Sequence, residues 1–166
     1  MDKGLIKASK TACTIGMTLW TLWAIVFILR LLRFANIISF NCGLGIDIAP
    51  IVWIDDPEVV PVQWVELLGY IISNVLMLTL TFIFLYKSLN GVSTNSIFNS
   101  TNAGLLNALV CVSFFYELFD DNRLIIFGER ALVLTSDIFV VPLCILVISI
   151  FYKLALNAYE ENHLTI

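Results

Sequence analysis

The chain has 166 residues, 60% of them apolar and 13% charged, with a mean hydropathy of +0.94 and a formal net charge of −4. Soluble domains run at roughly 45–50% apolar and about 25% charged, so a water-soluble fold of this size could not cover its apolar surface, whereas a bilayer would solvate it. The negative balance also argues against direct nucleic-acid binding, which needs a basic surface to displace counterions from phosphates.

A hydrocarbon core about 30 Å thick requires about 20 apolar residues of helix. The first such run is uncharged from Thr11 to Leu29 and is expected to continue to about Ala35. Lys3, Lys7 and Lys10 precede it, as in the leading part of a signal peptide. The run is too long for a signal-peptide core, however, and Arg30-Leu-Leu-Arg33 offers no small-residue cleavage site, so a retained helix is expected. Residues 36–66 then carry Asp47, Asp55, Asp56, Glu58 and Glu66 with no Lys or Arg, and Pro50, Pro57 and Pro61 argue against a long regular element there. This is read as an acidic loop lying on the membrane surface.

The second span is expected over 67–86, closed by Lys87, and is followed by a stretch rich in Ser, Thr, Asn and Gly, a turn composition. The third is expected over 102–118. The fourth is placed at 131–153 and contains Asp137 and Pro142, where the missing backbone donor predicts a kink. Every span must be helical, because an open strand edge in lipid leaves backbone groups unpaired. The expected fold is an all-α membrane protein, a four-transmembrane-helix bundle forming one integral membrane domain over 1–166. Five lysines fall at one side and four arginines at the other. With Lys3, Lys7 and Lys10 ahead of the first helix, the lysine side is expected in the cytoplasm, with both termini there.

Asp137 is the most conspicuous candidate residue. A carboxylate at the centre of a transmembrane helix costs at least about 2.5–3.5 kcal/mol on insertion scales, so it should face protein or water and have a partner. Arg30 and Arg33, three apart near the end of the first helix, and Asn74 in the second lie at similar depth, and an intramembrane cluster of Arg30, Arg33, Asn74 and Asp137 is expected. It would serve either as a structural ion pair or as a gate. A late start to the fourth helix, which would leave Asp137 at the headgroups, is the alternative. Small residues four apart (Ala8, Ala12 and Gly16; Gly69 and Ser73; Gly104 and Ala108) permit close helix contact.

Catalytic, metal and cofactor signatures are missing from the sequence. Cys13, Cys42, Cys111 and Cys144 form no C-x-x-C pair, and His163 is the only histidine. No enzyme activity, metal or cofactor is expected.

The tail Ala158-Tyr-Glu-Glu-Asn-His-Leu-Thr-Ile166 resembles the ending of a bacterial family of small four-span membrane proteins known only as domain of unknown function 2975. In that family an acidic stretch precedes Asn, a polar residue and Leu-Thr-Ile or Leu-Thr-Val. Here these are Glu160, Glu161, Asn162, Leu164, Thr165 and Ile166, with His163 where the family usually has an acidic or similar polar residue. The segment Ser96-Ile-Phe-Asn-Ser-Thr-Asn102 is similar to the family's entry to the third helix, with Ile97 and Phe98 at its apolar positions.

The resemblance implies residence in a bacterial cytoplasmic membrane. Because genes of the family often neighbour one for a small helix-turn-helix regulator, it also implies a cytoplasmic partner of that type. Ile97, Phe98, Asn102, Asn162, Leu164, Thr165 and Ile166 are the candidate partner-binding residues. The expected function is therefore a non-enzymatic regulatory or sensory membrane protein, with self-association in the bilayer also open. A transporter or transporter accessory subunit, or protection against membrane-active peptides, are the alternatives.

Overall fold

The computed structural model describes residues 3–38, 51–93 and 98–164. Four long helices account for most of them: α1 (Lys3–Phe34), α2 (Val59–Ser93), α3 (Ser100–Asp121) and α4 (Asp137–Leu164), with a short 3-10 turn, η1 (Arg123–Phe127), after α3. There is no strand among the described residues. All four α-helices are long and apolar enough to cross a membrane, and the protein is a multi-pass membrane protein.

Charge spacing matches that reading. Lys10 and Arg30 are separated by about 30 Å of α1 at 1.5 Å per residue, and Glu66 and Lys87 by a similar length of α2. Both apolar stretches therefore equal one hydrocarbon thickness.

Helix α1 starts at Lys3 and not at 11, and α2 and α4 run on to Ser93 and Leu164 and not to 86 and 153. The starts of α2 and α4 also differ from expectation, each for a local reason. Helix α2 begins at Val59, eight residues before 67. Asp56 opens it: its carbonyl accepts from the amides of Val59 and Val60, and its side chain from that of Glu58. Pro61 falls in the first turn, where an amide proton is not needed, so this proline does not end the helix. Helix α4 begins at Asp137, six residues after 131. Upstream, the side-chain amide of Asn122 brackets Val133: its nitrogen donates to the Val133 carbonyl at 2.9 Å and its oxygen accepts from the Val133 amide at 2.7 Å. Val133 has no main-chain groups left for a helix. Asp137 suits the start, where free amides and the positive end of the macrodipole favour a carboxylate.

The other boundaries follow ordinary capping chemistry. Asn36 adopts φ 55° after α1, with Ile37 donating to Leu32 and Asn36 to Arg33, a left-handed C-terminal motif. Asn99 caps α3, its side chain accepting from the Asn102 amide at 2.8 Å. Gly128, at φ 93°, closes η1.

Each helix packs on its neighbour in sequence: α1 on α2, α2 on α3, and α3 on α4, while η1 packs on α2. Helices α1 and α4 lie on the two flanks of the central α2–α3 pair and do not meet. Most of their side chains point outward, as lipid-facing surfaces do.

The core is not spread evenly. Phe27, Phe34, Leu67, Tyr70, Leu78 and Ile126 form one cluster, supported by Trp20, Trp23, Phe119 and Phe127. Except for Trp20 and Leu78 it sits at the arginine end, where Phe34 packs on Tyr70 and Phe127 with ring centroids 5.8 and 5.6 Å apart. Trp20 ties α1 to α2 lower down, its indole nitrogen donating to the Leu78 carbonyl at 2.8 Å.

Of the small residues, Gly16 seats Leu85 of α2 and Gly69 seats the ring of Phe119, whereas Gly104 faces open space. A Cβ at Gly69 would run into the Phe119 ring. Gly69→Val should therefore force α2 and α3 apart and lower stability by about 1–3 kcal/mol, the usual cost of overpacking. Gly104→Ala should cost nothing. Thermal unfolding of the two variants in detergent checks the contrast.

Candidate functional site

Polar side chains converge where α1, α2 and α3 meet at the arginine end. One Arg30 terminal nitrogen donates to the Tyr70 hydroxyl at 3.0 Å and to Asp120 Oδ1 at 3.3 Å. Arg123 meets Asp120 Oδ2 at 3.0 Å and its carbonyl at 2.9 Å. Asp120 thus takes one arginine on each carboxylate oxygen, and a single side chain of α3 holds α1 through Arg30 and the start of η1 through Arg123.

Beside this junction the loops are held by buried amides. Gln63, fully buried, accepts from the Ile54 amide at 3.3 Å and donates to the carbonyls of Val52 at 3.3 Å and Ile126 at 3.0 Å. One side chain of α2 therefore fastens both the segment before α2 and the turn after α3. Asn122 does the same for the approach to α4. Arg130 bridges to Asp56 at 2.9 Å at the exposed rim, and the Thr135 hydroxyl donates to Asp121. Trp53 stacks on Trp64 at 4.5 Å.

The expected cluster of Arg30, Arg33, Asn74 and Asp137 is not brought together. Arg30 is at the centre of the junction, but its carboxylate is Asp120. Arg33 donates to the Ile38 carbonyl at 2.8 Å just beyond its own helix. Asn74 is fully buried one turn from Tyr70 and donates to the Tyr70 carbonyl at 2.9 Å, leaving its oxygen without a partner. Asp137 is exposed in the first turn of α4 and accepts from the adjacent Ser136 hydroxyl. The late start of α4 moves Asp137 out of the helix interior.

Sequence reading passed over Gln63, Glu66, Tyr70 and Asp120. Their signal was the spacing of Gln63, Glu66, Tyr70 and Asn74, which places polar groups on one face of α2 once the helix is extended back through Pro61. Glu66, read as a loop residue, is a buried residue of that helix.

At the lysine end, the candidate partner-binding residues divide. Ile97, Thr165 and Ile166 lie outside the described residues. Asn162 and Leu164 belong to the last turn of α4, which continues about 16 Å beyond Lys153. Phe98 packs against Tyr152 and Tyr159 of α4, with centroids 5.4 and 6.3 Å apart, and the Asn99 amide donates to the Tyr152 hydroxyl. Asn102 is fully buried and donates to Ser88, so it is a structural link between α3 and α2 and not an open docking residue.

Cys13, Cys111 and Cys144 are free thiols, and Cys42 is outside the described residues. Among the described residues no group of three or more His, Cys, Asp or Glu side chains is placed to hold a metal ion. No protein-family model, curated protein or solved structure matches the chain.

Proposed function

We propose that this is a non-enzymatic regulatory or sensory protein of a bacterial cytoplasmic membrane, with the lysine end and both termini in the cytoplasm and a small helix-turn-helix regulator as its partner there. Membership of the family known as domain of unknown function 2975 is part of this proposal and rests on the tail and loop motifs.

The observation that carries the reading is the contact of Phe98 with Tyr152 and Tyr159. It joins the α2–α3 connection to the projecting part of α4, the two segments to which the family resemblance assigns partner contact. A platform built in this way couples a bound protein to the position of α4. Of the other helices, α4 packs on α3 alone, and α3 carries Asp120, so a change at the arginine end has a continuous packed route to the platform.

Glu160 is exposed near the end of α4, where the macrodipole disfavours negative charge. A partner with basic side chains would relieve that conflict. The test is the membrane-bound fraction of a co-expressed regulator from the neighbouring gene, with the full chain and with residues 162–166 removed. The expected result is release of the regulator by the truncation. An unchanged fraction, with the truncated protein folded and inserted, overturns the reading.

A further inference from the structure

The buried face of α2 carries Gln63, Glu66, Tyr70 and Asn74 in succession. Gln63 is bonded through both its amide atoms, and Tyr70 takes Arg30. Glu66 is different. It is 6% exposed, its Oε1 is buried without a hydrogen-bond partner, and it belongs to none of the ion pairs found among the described residues. An ionised carboxylate withdrawn from water without a cation or donors is among the costliest groups a fold can hold, whereas the neutral acid is tolerated.

The surrounding elements supply no cation for it. Helix α1 brings Arg30, engaged by Tyr70 and Asp120, and Arg33, bonded to the Ile38 carbonyl. Helix α3 brings Tyr116, Glu117 and Asp120, and η1 brings Arg123, committed to Asp120. Helix α2 itself adds Glu58 and Tyr70. The segment before it adds Asp55 and Asp56, the latter held by Arg130. Every arginine at this end already has an acceptor, and the remaining charged groups are acids. A metal ion would need several oxygen ligands, and no set of acidic, His or Cys side chains provides them among the described residues. A proton is the one cation that a single carboxyl satisfies.

We propose that Glu66 is an exchangeable-proton site, filled when α2 is packed as in this structure and emptied to the solution at the arginine end. On release the carboxyl O–H bond breaks, its electron pair stays on the oxygen and the proton passes to water at that face. The new negative charge stands one turn from Tyr70, whose hydroxyl holds Arg30. It draws water into the α1–α2–α3 junction, where Arg30 is shared by Tyr70 and Asp120. The protein would in this way register the acidity of the compartment at its arginine end. This goes beyond the partner reading and does not depend on it.

Dicyclohexylcarbodiimide enters membranes and modifies carboxyl groups that carry a proton. The purified full chain in liposomes is treated across a pH series, and the modified residue is located by peptide mass spectrometry. Glu66 should be modified at the acidic end of the series, with a fall of at least tenfold as the pH is raised, and Glu66→Gln should lose that adduct. Thermal unfolding should show the wild-type midpoint falling as the pH rises and the Glu66→Gln midpoint falling distinctly less over the same range. The labelling uses the wild-type chain, so it stands even if Glu66→Gln does not fold. No adduct on Glu66 at any pH, an adduct independent of pH, or its suppression by sodium ions at fixed pH overturns the proposal.

Discussion

Replacing Asp120 with leucine should destabilise the protein more than replacing any other acid. Among the described residues, the substitution removes the one carboxylate that Arg30 and Arg123 share and leaves Arg30, with its Nε already buried and unpartnered, facing Tyr70. Breaking a buried pair from one side costs about 3–5 kcal/mol, whereas an exposed pair contributes about 1 kcal/mol or less. Side chains of Arg30 and Asp120 are about one-fifth exposed, which places the expected loss at about 3 kcal/mol, the lower edge of the buried range. Asp120→Leu combined with Arg30→Leu should recover much of it, because no unpaired arginine then remains in the junction. Asp137→Leu serves as the comparison and should change stability by less than about 0.5 kcal/mol, as surface substitutions do. Unfolding in detergent, followed by circular dichroism, measures all three. Equal losses for Asp120→Leu and Asp137→Leu would show that the junction is not organised around Asp120.

A loss of similar size is expected at Gln63, by a different mechanism. Leucine has nearly the same volume, so Gln63→Leu keeps the packing and removes only the hydrogen bonds. The Ile54 amide and the Val52 and Ile126 carbonyls then lose their side-chain partner together. Stranding a fully buried group costs about 1–3 kcal/mol. The Ile126 bond is buried while the Ile54 and Val52 bonds are part-buried, so the expected loss is about 3 kcal/mol, the upper edge for one such group. The effect should also be local in a way that the Asp120 effect is not. Residues 51–57 should become open to proteolysis, because Gln63 is what fastens them to α2. Limited digestion with fragments mapped by mass spectrometry reads this directly. Resistance equal to that of the wild type would mean that the Trp53–Trp64 stack and the Asp56–Arg130 bridge secure the segment without Gln63.

Both effects fall at one end of the molecule, and the two ends are built differently. The arginine end is fastened by charges and buried amides acting over long sequence distances. The lysine end has no ion pair among the described residues and uses the link from buried Asn102 to Ser88, a helix cap at Asn99 and aromatic contacts of Phe98 with the α4 extension. The second kind of fastening is weaker and leaves α4 projecting, which suits a surface that must accept and release another protein.

The four spans were legible in the sequence because their signal is local. About 20 apolar residues bounded by charge have only one low-energy arrangement in a bilayer, whatever their neighbours do. The lysine and arginine belts were legible for the same reason, since each charge marks where its own helix leaves the hydrocarbon.

Boundaries and partners depended on residues far apart in the chain. Asp137 looks intramembrane when the apolar run from Ala131 is counted as helix. Only Asn122, eleven residues before Val133 and at the other side of a turn, shows that the run starts as extended chain. The partner of Arg30 is Asp120, ninety positions away, and depth along a helix cannot choose it over Asp137. That choice depends on which helices are neighbours, and packing settled it by placing α3 between α2 and α4, where α1 can reach Asp120 but does not meet α4.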